Sequence, residues 1–182
     1  SLTTSTGDAD YGESVGQDCG VPSPNPSWGG NTWSMKTLYY HMNWANRKAA
    51  SYLPSNSWLS QGNITVSVNK NPFCNASAGA SIINFYKSDS GCMNFGELPG
   101  AGLHEWGHSL DVNDGSGGWT SPCETIADWN ATLQLRDSCA GKGAGEGGNC
   151  YSYGDACTSC DGIRDLDYMK HSSQTPWTAQ NH

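Results

Sequence analysis

The sequence has 182 residues, of which 36% are hydrophobic and 14% are charged, so it can form one packed domain rather than a disordered chain. Its net charge of −8, with 9 Lys and Arg, argues against a nucleic-acid or anionic-membrane partner. No stretch approaches the ~18 apolar residues of a membrane span, and no glycine-rich phosphate loop follows a strand. We therefore expect a single domain over residues 1–182, without nucleotide chemistry.

The first third of the chain predicts an irregular arm followed by a helix. Residues 1–34 are rich in Ser, Gly, Pro and Asp and show no periodicity, which is typical of an irregular N-terminal arm. Between residues 35 and 53, apolar residues such as Leu38 and Met42 recur every three or four positions, and Pro54 follows. This pattern predicts an amphipathic helix that ends before the proline.

The middle of the chain predicts two strands. Ile64, Val66 and Val68 alternate with polar residues, which indicates a strand with one buried face. Residues 81–87 are rich in β-branched and aromatic side chains and predict a second strand.

The last third predicts two helices, over 100–110 and 121–136, separated by a glycine-rich turn at 115–118. Residues 138–162 combine cysteines with many glycines and predict a loop stapled by disulfides. A short helix over 163–170 is a further expectation.

Eight cysteines in a chain of this length indicate up to four disulfides and an oxidising compartment. We therefore expect a secreted protein, from which a leader or pro-segment has been removed. Cys74 and Cys92 flank the second predicted strand, which makes them the favoured pair. Cys157 and Cys160 are separated by two residues, and we expect disulfides there rather than a redox or metal motif.

The stretch from His104 to His108 carries the clearest chemical signal in the chain. On a helix these two histidines, four residues apart, lie on one face and can present two imidazole nitrogens to one metal ion. Glu105 then lies beside the metal, where it can take a proton from metal-bound water. This pattern predicts a zinc site.

Two carboxylates are candidates for the third zinc ligand. Asp114 has the spacing of peptidases in which a tight turn returns a ligand to the metal, but that turn normally needs glycine where this chain has Asp111. Glu124 and Asp128 lie four apart on the next predicted helix, so one could bind the metal while the other orients a ligand histidine. The paired carboxylates favour Glu124, and Asp114 remains the alternative.

At these residues the sequence resembles the gluzincin zinc peptidases, the thermolysin-like and fungalysin-like enzymes. These carry His-Glu-x-x-His on one helix and Glu-x-x-x-Asp on the next. The resemblance implies that His104, His108 and Glu124 bind zinc, that Glu105 is the general base, and that Asp128 holds a ligand histidine in place.

The resemblance also implies a fold and a substrate site. We expect an α+β, disulfide-rich, metallopeptidase-like fold, with a small twisted sheet and an exposed edge strand preceding the helical, zinc-binding part. Asn75 and Ala76, followed by the strand to Lys87, are similar to the edge strand on which such enzymes bind the substrate backbone. A histidine late in the chain stabilises the oxyanion in thermolysin-like enzymes, and His171 is the candidate here, with Tyr168 less favoured.

These observations predict a secreted, monomeric zinc endopeptidase acting on a protein or peptide substrate, which could be a glycoprotein. A Ca²⁺ site in the turn at 111–115 has little support, because the regular ligand spacing is missing. The alternative is a secreted, disulfide-rich binding module for glycans, which would use its tryptophans and carry a non-catalytic zinc or none.

Overall fold

The structure, a computed structural model, describes residues 33–115, 118, 123–145 and 160–166 of the chain. Its elements, in chain order, are the helices and strands α1 (Trp33–Tyr52), α2 (Ser57–Gln61), β1 (Thr65–Phe73), β2 (Ala76–Ala78), β3 (Ile82–Lys87), a 3₁₀ turn (Phe95–Glu97), α3 (Pro99–Asn113), α4 (Cys123–Leu135), β4 (Cys139–Ala140) and β5 (Arg164–Asp165).

The long first helix, α1, forms one wall of the hydrophobic core. Leu38, Met42 and Ala45 recur at three- and four-residue steps and are buried, so the predicted amphipathic helix is confirmed. It begins at Trp33, two residues earlier than predicted, and the rest of the proposed N-terminal arm lies outside the described residues. Its buried face packs on α3 and on the 3₁₀ turn.

The three-stranded sheet has the order β1-β3-β2. Strands β1 and β3 are parallel, with Val66 opposite Ile83, whereas β2 pairs antiparallel with β3. The expectation that the strand ending at Lys87 is the edge strand is therefore wrong, since that strand is central. The two edge strands are β1 and the short β2, and the residues of β2, Ala76, Ser77 and Ala78, have no alternation that marks a strand in the sequence.

Helices α3 and α4 pack against each other, and α3 also contacts β2. The helix predicted over 100–110 runs from Pro99 to Asn113. Its first residue is proline, whose missing N–H costs no hydrogen bond because the first N–H groups of a helix have no partner within it. The helix predicted over 121–136 runs over Cys123–Leu135 in the described residues. The short helix α2 was not predicted; the Asn56 side chain caps it by accepting from the N–H groups of Trp58 and Leu59.

A small hairpin, made of β4 and β5, follows α4. The Cys139–Cys160 disulfide joins its two sides, and a second disulfide, Cys74–Cys92, matches the predicted pairing. Arg164 and Asp165 form a strand, so the helix expected over 163–170 is wrong at its start, and residues 167–170 lie outside the described part.

The mixture of helices and small sheets, with two disulfides among the described residues, confirms an α+β, disulfide-rich fold. Buried side chains from α1, β3 and α3 share one hydrophobic core, which includes the fully buried Trp106 on α3. In the part of the chain that is described, no helix combines the length and the apolar character that crossing a membrane requires.

Candidate metal centre and cleft

Helix α3 presents the two motif histidines side by side. His104 and His108 lie one helical turn apart, and their Nε2 atoms are 3.0 Å from each other. Their rings meet edge to face, with centroids 4.6 Å apart. The four-residue spacing alone produces this convergence, because side chains four apart lie above one another on a helix.

Helix α4 brings Glu124 to the same point. Its Oε2 lies 3.3 Å from His104 Nε2, and its Oε1 lies 3.3 Å from His108 Nε2. The close approach depends on Gly107, since a Cβ there would stand 2.9 Å from Ala127 Cα on α4. Glycine inside the motif therefore lets two helices meet almost main chain to main chain.

These three side chains form a group that could hold a metal ion. Their ligand atoms lie within 4.8 Å of one another. Four ligands at about 2.0–2.1 Å from a tetrahedral zinc lie roughly 3.3 Å apart, which agrees with the spacing of Glu124 from each histidine. Two imidazoles and one carboxylate are also a donor set that zinc takes in proteins. The residues therefore fit zinc, with three protein ligands among the described residues.

The alternative ligand, Asp114, is placed elsewhere. It caps the C-terminal end of α3, ten residues beyond His104, and its side chain is exposed. It neither belongs to the group of potential ligands nor lines the cleft described below. The geometry thus groups Glu124, not Asp114, with the two histidines.

Asp128 lies one turn beyond Glu124 on α4 and is completely buried. Its Oδ1 is 2.7 Å from His104 Nδ1, so that in the neutral imidazole Nδ1–H donates to the carboxylate. The other nitrogen, Nε2, then keeps its lone pair for a metal. Asp128 therefore fixes both the tautomer and the orientation of His104.

Arg164, which was not predicted, completes the charge balance of this centre. From β5 its Nε donates to Asp128 Oδ2 at 2.8 Å and its Nη2 donates to Asp128 Oδ1 at 3.0 Å. The same Nη2 is 3.5 Å from Glu124 Oε2. The signal that could have indicated a basic partner is physical: two neighbouring carboxylates, one buried and one partly buried, need a cation, and this chain has few.

Burial and charge act against each other at the ligands. Burial lowers the pKa of His104, but its hydrogen bonds to Asp128 and Glu124 and their negative charges outweigh burial and raise the pKa to about 10. For Glu124, burial raises the pKa, but the hydrogen bonds with both histidines outweigh it and hold the pKa well below its usual range. The carboxylate is therefore ionised, as a metal ligand must be.

Glu105 is a buried residue of α3 that lines the same cleft as the ligands. The cleft has a volume of about 530 Å³, and Glu105 lines it together with His104, His108 and Glu124. Burial raises the pKa of the Glu105 carboxyl, although the charges of the two histidines partly oppose this. A carboxylate with a raised pKa accepts a proton more readily than one exposed to water.

The edge strand β2 forms the facing wall of the cleft. Asn75 and Ala76, the predicted substrate-binding residues, line the cleft with Ser77 and Ala78. The Asn75 carbonyl accepts from Tyr86 N–H at 3.0 Å, and Gly79 N–H donates to the Ile82 carbonyl at 2.8 Å.

Because bonding alternates along an antiparallel pair, the backbone groups of Ala76 and Ala78 point away from β3. Ala76 N–H is 2.9 Å from Asn75 Oδ1, and it donates to that oxygen. The outward groups of Ala78 and the Ala76 carbonyl therefore form a short open edge.

The structure thus brings together all the predicted site residues except three candidates. Asp114 lies outside the group of potential ligands and the cleft, and His171 and Tyr168 lie outside the described residues. Comparisons of the chain with protein-family models, with curated proteins and with solved structures found no match.

Proposed function

We propose that this protein is a zinc-dependent endopeptidase that hydrolyses peptide bonds in protein or peptide substrates outside the cell. The observation that carries the proposal is the position of Glu105. Glu105 lines one cleft together with the two histidines and the carboxylate that could hold a metal ion. A binding module would need no buried carboxyl next to its metal ligands.

The ligand arrangement supports a catalytic metal over a structural one. Structural zinc sites use four protein ligands, whereas catalytic sites use three and leave a position open. Among the described residues the group has three members, His104, His108 and Glu124, and it lies on a cleft. A zinc ion bound there would supply Lewis-acid chemistry for a carbonyl and a water molecule.

Glu105 is the proposed general base. It would take a proton from the attacking water and deliver it to the leaving amine nitrogen, so that one carboxyl serves both proton transfers. Burial raises the pKa of this carboxyl, which brings its proton affinity closer to what both transfers require.

The edge of β2 is the proposed substrate platform. An extended peptide would add to the sheet as a further strand, bonded to the outward groups of Ala78 and to the Ala76 carbonyl. Backbone bonding of this kind selects an extended chain rather than a particular side chain. The cleft could therefore accept unfolded segments of many proteins.

The two disulfides, Cys74–Cys92 and Cys139–Cys160, support an oxidising compartment for this activity. Each removes conformational freedom from the unfolded chain, which stabilises a protein with few apolar residues by ~2–4 kcal/mol per disulfide.

The deciding experiment compares Glu105→Gln with the wild type. We expect Glu105→Gln to keep a full equivalent of zinc but to lose about 10²–10⁴ in kcat/KM on an unfolded protein substrate, because the proton transfers lose their base. Glu97→Gln is the matched control, since Glu97 lies on the 3₁₀ turn and does not line the cleft. Chelation should abolish the wild-type activity, and added zinc should restore it.

Two outcomes would contradict the proposal. If Glu105→Gln cleaves as fast as the wild type, Glu105 is not the base. If the wild type binds zinc but cleaves neither an unfolded protein nor a glycoprotein, the binding module with a non-catalytic zinc becomes the better description.

A further inference from the structure

The hairpin formed by β4 and β5 reaches the metal centre through one side chain. Arg164 donates two hydrogen bonds to Asp128, at 2.8 and 3.0 Å, and approaches Glu124 at 3.5 Å. One guanidinium therefore contacts both the carboxylate that orients His104 and the carboxylate that faces both histidines. The side chain is 11% exposed, so water screens these contacts little.

Removing this guanidinium would take away the two hydrogen bonds that Arg164 donates to Asp128. Asp128 is completely buried, and without its charged partner the carboxylate is no longer held in the same position. A displaced carboxylate weakens the bond from His104 Nδ1–H, which fixes the tautomer and the direction of Nε2. Arg164 thus acts on the ligands through Asp128 and Glu124, and it is a positioning residue rather than a ligand.

The position of Arg164 depends in turn on a covalent bond. Cys160, four residues before it, is joined to Cys139 at the end of the neighbouring strand. Cys160 Sγ lies 3.6 Å from the Arg164 backbone oxygen. Ile163 N–H donates to the Ala140 carbonyl at 2.8 Å, and Leu166 N–H donates to the Ser138 carbonyl at 2.9 Å.

The hairpin itself is too short to hold this position alone. Strands β4 and β5 have two residues each, and two-stranded ribbons of this size are marginal in water. The chain between Cys139 and Cys160 spans 21 positions, so without the disulfide the two strands would have to meet across a long loop. The disulfide therefore keeps Arg164 against α4.

We propose that the affinity of the metal centre is coupled to the Cys139–Cys160 disulfide through Arg164. The inference rests on the proposed metal site, and it adds a covalent bond outside the ligand set on which the affinity for the metal depends. A chain with this pair formed binds zinc tightly, and a chain without the pair releases it more easily.

The test is a double-mutant cycle read out as zinc affinity, by competition with a chromophoric chelator well below the melting temperature of every variant. We expect Arg164→Met to weaken zinc binding roughly 10–100-fold, as do changes in groups that orient metal ligands. Arg164→Lys keeps the positive charge but loses the paired donors of the planar guanidinium, so its affinity for zinc should lie between those of Arg164→Met and the wild type.

In the second half of the cycle, Cys139 and Cys160 are both replaced by serine. This double replacement should weaken zinc binding when Arg164 is present and have little further effect when Arg164→Met is already in place. The spectrum of the Co²⁺-substituted protein should shift in the same variants, since ligand geometry sets that spectrum and a purely structural role would not change it. Should the double serine variant fail to fold, Leu166→Pro loosens the same hairpin by removing its bond to Ser138.

The other disulfide is a matched control. Cys74 and Cys92 are 18 positions apart, against 21 for the first pair, so removing either pair should lower stability by a similar amount. Only the loss of the Cys139–Cys160 pair should weaken zinc binding.

The inference is overturned if Arg164→Met binds zinc as tightly as the wild type. It is also overturned if replacing either cysteine pair by serine weakens zinc binding equally, or if removing the Cys139–Cys160 disulfide weakens binding as much in Arg164→Met as in the wild type. A wild type that binds no zinc would overturn the proposed function and the coupling together. Tight wild-type binding with unchanged variants would overturn the coupling alone.

Discussion

The two walls of the cleft are built from different chemical groups. The wall formed by α3 and α4 presents charged and ionisable side chains, namely the two histidines, Glu105, Glu124 and Asp128, and Arg164 from β5 pairs with Asp128 there. The wall formed by β2 presents small, neutral side chains and an open backbone edge. One wall can therefore carry out chemistry and the other can align a chain, and substitutions in each should have separable effects.

The largest expected effect lies on the helical wall and concerns the third ligand. Glu124→Gln should abolish tight zinc binding and with it any activity, because a neutral amide replaces an ionised carboxylate that lies 3.3 Å from both histidines. Zinc content after dialysis, measured by elemental analysis, gives the answer. Asp114→Asn is the control, and it should keep its zinc because Asp114 is exposed at the end of α3. The reverse result would exchange the roles of the two carboxylates.

A smaller effect is expected on the sheet wall. Ala78→Pro removes one N–H that points away from β3, and proline is tolerated at such positions of edge strands. We expect kcat/KM on an unfolded substrate to fall roughly fivefold, because the lost hydrogen bond contributes about 1 kcal/mol to binding of the transition state. The affinity for zinc should not change. Ala78→Gly keeps the N–H and should leave kcat/KM close to the wild-type value. Weaker zinc binding by the proline variant would mean that the walls are not separable.

The smallest effect is expected outside the cleft, at the exposed ion pair of Asp137 and Lys142, in which Lys142 Nζ lies 3.0 Å from Asp137 Oδ2. The backbone N–H of Cys139 and the Lys142 ammonium lower the pKa of Asp137, so the ionised form stabilises the fold above its unfolded pKa, and that contribution is lost as the pH falls through the lowered folded pKa. Asp137→Asn should change the melting temperature at neutral pH by little more than the error, because the pair is exposed to solvent. A large change in zinc affinity would show that surface charge reaches the centre.

The helical wall could be predicted because its information is local. Spacings of four place His104 with His108, and Glu124 with Asp128, whatever the rest of the chain does, provided that each segment is helical. The sequence did not determine that the two helices are in contact. Gly107 was an indication, because glycine destabilises a helix interior and close packing of a second helix would explain it.

The sheet wall and Arg164 could not be predicted in the same way. Three small residues, at positions 76–78, carry no period that distinguishes a strand from a loop, and their pairing with β3 depends on tertiary contacts. Arg164 is 36 positions from Asp128, and it lies on a hairpin joined by a disulfide that the sequence could not select among the possible pairings.

The contact at Gly107 also bears on which ions the centre can accept. Where two helices pack so closely that a Cβ at position 107 would stand 2.9 Å from Ala127 Cα, the space between their side chains cannot change without moving the helices. Calcium needs six to eight oxygen ligands at about 2.3–2.6 Å, and a fixed nitrogen-rich gap of this width cannot expand to provide them. The lack of a side chain at position 107 would thus favour ions of small radius in the proposed metal site.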